Sequence, residues 1–172
     1  MPKGQLYIRP QGTAVWTDAY TAYGVSFSDG ALSKLMTPAP NKSVIENKSR
    51  LQDGKRIVRT RKYIRKDERE LSLEMHLSAP DSVTFWERYR LFCTEILDQG
   101  LFEVKHADIK DGSGANAKPL IFRLTYLDCQ QFSEFQQQLA KFTLRVNEPD
   151  PTNRGEDDAW SAESVWDATE MT

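Results

Sequence analysis

The sequence predicts an α+β domain built mostly of antiparallel strands, with one amphipathic helix packed against them. Apolar and polar residues alternate strictly over 69–77, a helical period follows over 80–99, and strand patterns return afterwards. A chain of 172 residues with 39% hydrophobic content can bury one core of ordinary size. We therefore expect a single domain over residues 1–154 and an acidic tail over 155–172.

The first third of the chain predicts short elements separated by a long loop. Residues 6–8 (Leu-Tyr-Ile) favour the start of a strand. A strand over 25–27 and a helical turn over 31–36 are expected next, because glycines and prolines leave room only for short elements. Residues 37–54 are polar and rich in structure breakers, which predicts a loop that is functional or ordered by a partner.

A basic segment and an alternating segment follow the loop. Seven of the twelve residues over 55–66 are Lys or Arg, interspersed with β-branched and aromatic residues that favour a strand. Residues 69–77 alternate as a strand with one buried face. The polar residues 66–68 suit a hairpin connection, so the two segments are predicted to be antiparallel neighbours.

Residues 80–99 predict the main helix of the domain. Ser78 is the expected N-cap, and Gly100 stands where a left-handed residue would end the helix. An apolar stripe at three- and four-residue steps is interpreted as core packing. Its members are Val83, Phe85, Trp86, Tyr89, Phe92, Cys93, Ile96 and Leu97.

Strand patterns return after the helix. Residues 101–107 and 120–127 predict two strands joined by a glycine-containing connection. Residues 128–137 are compatible with the next strand or with its turn. Residues 140–146 predict a final half-buried strand, which ends because two prolines follow closely.

The sequence offers little that points to catalysis. It contains no nucleophile, phosphate-loop or zinc-protease motif. His76 and His106 are interpreted as polar-face strand residues, and Cys93 and Cys129 as buried thiols, with a disulfide as the alternative. We therefore expect no enzyme activity, no catalytic residues, no cofactor and no metal site.

Charge is distributed unevenly along the chain. Residues 148–172 hold eight acidic residues against one basic residue, a net charge of −7, so residues 1–147 carry +5. No apolar run approaches the roughly 20 residues of a membrane span, and the N-terminus lacks a signal-peptide pattern. The expected protein is soluble and cytoplasmic. Trp160 and Trp166 in the acidic tail are candidate anchors for a partner.

The basic segment is the sharper functional signal, and three interpretations stay open. It could be a solvated edge strand protected by its charges, an ion-pairing surface for another subunit, or a phosphate contact. Nucleic acid is the least favoured, since no aromatic residues of an RNA-recognition type accompany the charges. The candidate subunit-interface residues are Arg56, Arg59, Arg61, Lys62 and Arg65.

Three features of the chain resemble structural proteins of phage tails. From residue 55 onward, the order of basic hairpin, alternating strand, aromatic helix and three strands is similar to the tail-tube-like fold of tailed-phage proteins. The closing FTLRVNEPDPTNR of 142–154 resembles the last strand of phage and prophage tail or baseplate subunits. The opening DAYTAYGV of 18–25 resembles the start of such proteins in prophages of the Bacteroides group. The resemblance covers 15–154.

This resemblance implies a β-sandwich or half-barrel that joins its copies edge to edge in a ring, often six-fold. The helix would lie outside and loops would reach adjacent rings. It implies a structural subunit of a tail (tube, distal-tail or baseplate component) that is assembled in the cytoplasm and located in the virion tail. Its partners would be itself and other tail proteins, with DNA less favoured and no membrane. The acidic tail departs from the family pattern and is expected to dock another tail component.

Overall fold

A computed structural model describes residues 4–28, 30–43, 46–57, 60, 64–133 and 135–155, without the side chains of 130–133. The elements in chain order are β1 Leu6–Pro10, β2 Thr17–Asp18, α1 Ala19–Tyr23, β3 Val25–Phe27, α2 Ala31–Met36, β4 Glu46–Asn47, β5 Arg56–Ile57, β6 Arg69–Ser78, α3 Ser82–Phe92, β7 Leu101–Lys110, β8 Pro119–Ser133 and β9 Leu139–Glu148. A π-helical segment, Cys93–Leu97, continues α3. The short strand and helical turn predicted over 25–36 are confirmed as β3 and α2.

Seven of these strands form one antiparallel sheet in the order β2-β1-β7-β8-β9-β6-β3. Its longest pairing joins β6 and β9 in uninterrupted register, from Arg69 opposite Glu148 to Ser78 opposite Leu139. Bulges interrupt the register between β8 and β9. The remaining strands, β4 and β5, pair with each other outside this sheet.

The sheet curls into a half-barrel, as its two edges show. β2 and β3 are the edge strands, yet only residues 19–24 separate them in the chain. A flat sheet of seven strands would hold its edges about 29 Å apart, whereas six residues of helix advance about 9 Å. The edges must therefore approach each other across α1. The predicted fold class is confirmed, in its half-barrel form.

The core lies between the concave face of the sheet and the helices. Alternate residues of β6 (Leu71, Leu73, Met75 and Leu77) are buried, as their period of two predicts. Ala140, Phe142, Leu144 and Val146 of β9 continue the same apolar layer. From the helical segment, Phe85, Phe92 and Ile96 complete the core.

The helix differs from its prediction in two respects. Its N-cap is Asp81, whose carboxylate accepts from the backbone N–H of Thr84 at 2.8 Å, because Ser78 is still paired within β6. The predicted stripe is only partly core, since Val83 and Trp86 are 71% and 52% exposed.

The predicted hairpin between residues 55–65 and 69–77 is wrong. β6 pairs with β9 on one side and with β3 on the other. β5 pairs instead with β4. The apolar face of β6 is buried against the core, so the strands beside β6 need apolar residues on the same face. The described residues of the basic segment do not provide such a face.

The strands after the helix are longer than predicted. β7 runs to Lys110, and β8 continues through the ambiguous region to Ser133. Two side-chain interpretations also change. Cys129 is exposed and Cys93 half-buried, both as free thiols, so the prediction of a buried thiol is wrong for Cys129. His106 is 5% exposed on the core face, because its position continues the inward register of Phe102 and Val104.

Candidate subunit interface

The described residues of 41–66 form a projecting two-stranded arm, and this part of the chain is here called the basic arm. At its base, the N–H of Lys42 donates to the carbonyl of Arg65 at 2.8 Å, and Asn41 forms an antiparallel bridge with Lys66. Farther out, β4 pairs with β5. Every described residue of the arm is exposed except the half-buried Gln52. The described part of the arm therefore gains little stability from packing on the half-barrel.

The basic arm carries a large positive charge. Its 26 residues include ten Lys or Arg and two acidic residues, a net charge of +8. Glu46 pairs with Lys55 at 2.6 Å and with Lys48 at 4.0 Å. Within the described parts of the chain, no carboxylate pairs with the other described arm cations. These are Lys42, Arg50, Arg56, Arg65 and Lys66.

The structure brings two of the predicted interface residues together on this arm. Arg56 lies in β5 and Arg65 at the base, and both are exposed. The other candidates lie outside the described residues: Arg59, Arg61, Lys62, Trp160 and Trp166. The basic segment thus belongs to the arm, and its described part is not a strand of the main sheet.

A buried ion cluster lies where the base of the arm continues into β6. Arg69, the first residue of β6, pairs with Glu148 at 2.7 Å and donates to the carbonyl of Leu35 at 3.0 Å. Arg154 also pairs with Glu148, at 2.8 Å, and Glu148 is fully buried. Burial lowers the pKa of the Arg69 guanidinium, while the Glu148 carboxylate acts in the opposite direction. The cluster therefore links the start of β6, which follows the arm base in the chain, to the segment that follows β9.

A second group of ion pairs, here called the ion ladder, lies on the sheet face opposite the core. Glu103 of β7 pairs with Arg9 of β1 at 2.6 Å and with Arg123 of β8 at 3.6 Å. Arg123 donates to the carbonyls of Asn153 at 3.1 Å and Gly155 at 2.9 Å. This ladder holds residues 149–155, here called the exit segment, against β8.

The burial of these carboxylates was not predicted, although the sequence contains a signal for one of the two clusters. Glu148 occupies the next inward position after Val146, and Arg69 precedes Leu71 on the buried face of β6. A charged residue that continues an apolar register on each of two strands indicates a buried pair. The Arg9–Glu103–Arg123 ladder has no such signal, because it depends on the order of the strands.

The exit segment and the arm base enclose a polar groove of about 580 Å³. Lys42, Arg65 and Lys66 line it from the arm, and Pro149 to Thr152 line it from the exit segment. Asp67 and Glu68 complete the lining. The chain therefore leaves the half-barrel beside the positively charged base of the arm.

The opposite end of the molecule presents exposed aromatic side chains. Trp86 of α3 and Phe135 of the β8–β9 turn are 52% and 48% exposed, with ring centroids 5.6 Å apart. Both side chains lie near the start of β9, whereas the arm base lies near the end of β9. The ten residues of this strand separate the two ends by about 30 Å. Exposed aromatic side chains are enriched in protein interfaces. The half-barrel thus has a basic end and an aromatic end.

The described residues contain no cluster of three or more His, Cys, Asp or Glu side chains arranged to hold a metal ion. Within the same ranges, no helix is both long and apolar enough to cross a bilayer.

The chain matches no protein-family model and no curated protein. Its fold is similar to that of chains in two solved structures of the phage P2 baseplate in its activated conformation. In the structure with Ca, the TM-score is 0.54 at 12% identity, covering 81% of this chain and 43% of the other. In the structure with Sr, the TM-score is 0.51 at 10% identity, covering 83% and 43%. The chain spans less than half the length of these matched chains, and identities this low show the fold alone.

Proposed function

We propose that this chain is a non-enzymatic structural subunit of a phage or prophage tail, as a tube, distal-tail or baseplate component. The observation that carries the proposal is the basic arm, exposed over its described length, on a half-barrel whose fold resembles chains of a phage baseplate. Its partners are copies of itself, in a ring with six-fold symmetry, and other tail proteins. We further propose that the chain is encoded by a Bacteroides-type prophage, that it is assembled in the cytoplasm and that it is located in the virion tail.

Energetics support an interface role for the basic arm. Ordering each backbone residue costs about 1–2 kcal/mol, and an isolated two-stranded hairpin is marginally stable at best. The described arm residues are exposed, so the half-barrel offers them little compensating burial. Contact with a neighbouring subunit supplies both apolar burial and carboxylate partners for Arg56 and Arg65. Arg59, Arg61 and Lys62 extend this surface along the sequence, and Trp160 and Trp166 dock a second tail protein.

A pair of charge reversals tests this function. The R56E/R65E variant should lose oligomers in size-exclusion chromatography with light scattering, because both side chains then repel an acidic partner surface. The exposed Lys110, at the end of β7, provides the control variant K110E, which changes charge outside the arm and should assemble normally. If the wild type, R56E/R65E and K110E formed oligomers equally well, the arm would not be the interface.

A nucleic-acid-binding module is the alternative function. The observation that favours it is the set of described arm cations without a carboxylate partner, in and beside segment 55–66. Phosphate contacts would give an affinity for DNA that falls steeply with salt and is reduced in R56E/R65E. An absence of DNA retardation at low salt would remove this alternative.

A further inference from the structure

The acidic tail and the basic arm are complementary in charge. Residues 156–172, which lie outside the described residues, hold six carboxylate side chains and no Lys or Arg. The basic arm carries a net charge of +8, and its one described ion-paired carboxylate, Glu46, lies 2.6 Å from Lys55 and 4.0 Å from Lys48. Within the described residues, no carboxylate forms an ion pair with Lys42, Arg50, Arg56, Arg65 or Lys66.

The starting point of the tail lies beside the arm base. Pro149 to Thr152 share the polar groove with Lys42, Arg65 and Lys66. Two further contacts hold the exit segment in place, from Arg154 to the buried Glu148 and from Ile121 N–H to the Arg154 carbonyl at 3.0 Å. The tail therefore begins from a fixed point at the basic end of the half-barrel.

Chain length lets the tail reach all described cations of the arm. Seventeen residues follow Gly155, and a fully extended chain of that length spans at most about 56 Å. From its base at Asn41 to Arg50 in its turn, the arm extends at most about 30 Å, at about 3.3 Å per residue.

We propose that residues 156–172 bind the basic arm of their own chain and occupy the surface that a neighbouring subunit uses. The inference rests on the proposed role of the arm as an interface, and it adds a regulation of that interface. A tethered segment acts at an effective concentration on the order of millimolar, so it competes well with free subunits at micromolar concentration. Self-assembly then starts only where high local concentration or a partner displaces the tail.

Zero-length cross-linking tests the contact directly. A carbodiimide joins carboxylates to lysine amines without a spacer, and the arm contains five lysines: Lys42, Lys48, Lys55, Lys62 and Lys66. The full-length protein is treated as an equal mixture of ¹⁴N- and ¹⁵N-labelled chains, at a dilution where light scattering gives monomer. The exposed Lys110 and Lys118, which flank the β7–β8 turn outside the arm, report unselective reaction.

The proposal predicts cross-links from the tail to arm lysines with both peptides of one isotope. These should be several-fold more abundant than links to Lys110 and Lys118, and most should be lost in 1 M salt, where the screening length falls to about 3 Å. Mixed-isotope links would show that a second copy provides the tail and would overturn the proposal. Equal linking to the control lysines, or an absence of arm links, would overturn it as well.

A full-length variant with a neutral tail tests the regulation. Replacing the six carboxylates with their amides (E156Q, D157N, D158N, E163Q, D167N and E170Q) should lower the concentration at which oligomers form by about tenfold or more. An unchanged concentration, with oligomers present, would overturn the regulation while leaving the arm interface intact. If neither protein forms oligomers, the proposed interface fails and the regulation fails with it, while the cross-links still show whether the tail binds the arm.

Discussion

At the scale of single residues, the most consequential contact is the carboxylate of Glu148 between two guanidinium groups. The E148Q variant should be destabilised by about 3–5 kcal/mol, because Arg69 keeps its buried charge and loses its ion-pair partner. Urea unfolding of the full-length protein measures the difference. Asp128, whose ion pair with Arg145 is roughly half exposed, provides the control D128N, expected to lose less than about 1 kcal/mol.

A destabilisation of E148Q no larger than that of D128N would contradict the assignment of this cluster as a structural anchor. The Arg69–Glu148 pair also shows which part of this contact could be predicted from the sequence. Glu148 and Arg69 both continue an apolar register, so their burial was predictable from the alternation of β6 and β9. Their pairing was not, because it requires knowing that the first residue of β6 lies opposite the last residue of β9.

His106 gives the half-barrel a pH-dependent stability. Its ring stacks on Phe27, with centroids 6.1 Å apart, which links β7 to the edge strand β3. Burial lowers the pKa of His106 below its ordinary value of about 6.5, while Asp108 acts in the opposite direction. As pH falls below about 6.5, the unfolded chain gains a proton at this position before the folded chain does, so the free energy of unfolding decreases.

The H106Q variant should show a flatter pH dependence between about pH 7 and 5.5, measured as urea midpoints at each pH. Identical slopes in the wild type and H106Q would contradict the role of His106.

At the scale of elements, α3 places a buried and an exposed aromatic side chain at adjacent positions. Phe85 is completely buried, whereas Trp86 is 52% exposed and contacts Phe135. F85A should lose about 3–5 kcal/mol of stability, because it leaves a cavity in the core. W86S should lose less stability than F85A, because half of the Trp86 side chain is already exposed, and it should weaken assembly if the aromatic end is an interface. Calorimetry and light scattering of both variants measure these effects, and equal destabilisation would contradict the helix orientation.

The joint between α1 and β3 depends on Gly24. Its φ is +66°, and an added Cβ would lie 2.1 Å from the backbone carbonyl oxygen of Ser78. Gly112 is the matched control, since its φ is +76° and a Cβ there would meet nothing within 4 Å among the described residues. Both alanine variants incur the left-handed strain of about 1–2 kcal/mol. Only in G24A does the new Cβ also clash with the Ser78 carbonyl, so the backbone at Gly24 and at Ser78 must move apart.

G24A should therefore unfold at a lower urea concentration than G112A, because the shift disturbs the strand that closes the half-barrel. Equal midpoints would contradict the close packing of α1 against the end of β6. The short elements around this joint, β3 and α2, were predictable because local glycine and apolar patterns define them.

The arm shows why one element was mispredicted. Residues 55–65 have the composition of a strand, and the adjacent β6 favoured a local hairpin with it. The described part instead pairs with Glu46–Asn47, within the segment predicted as a loop. Composition indicates that a segment favours extended backbone, but its partner depends on which apolar faces compete for the core.

At the scale of the whole molecule, the half-barrel separates a basic end from an aromatic end. The fold class and the core positions of β6 and β9 were predictable from periodicity alone. The curl of the sheet was not, since it follows from the short α1 connection between strands that lie at opposite edges. Of the predicted interface residues, Arg56 and Arg65 lie together on the arm. The exposure of Trp86 was not predicted because it belongs to a helical stripe typical of core residues, and that of Phe135 was not predicted because residues 128–137 have no clear pattern.

Assembly through copies of the chain can be measured as the mass of the full-length protein in solution, followed by light scattering over a range of concentrations. The mass should rise from the 19.7 kDa of one chain to a defined multiple, with closed rings visible in negative-stain images of the same samples. A mass that stays at 19.7 kDa at every concentration, with no rings, would contradict assembly through copies of the chain.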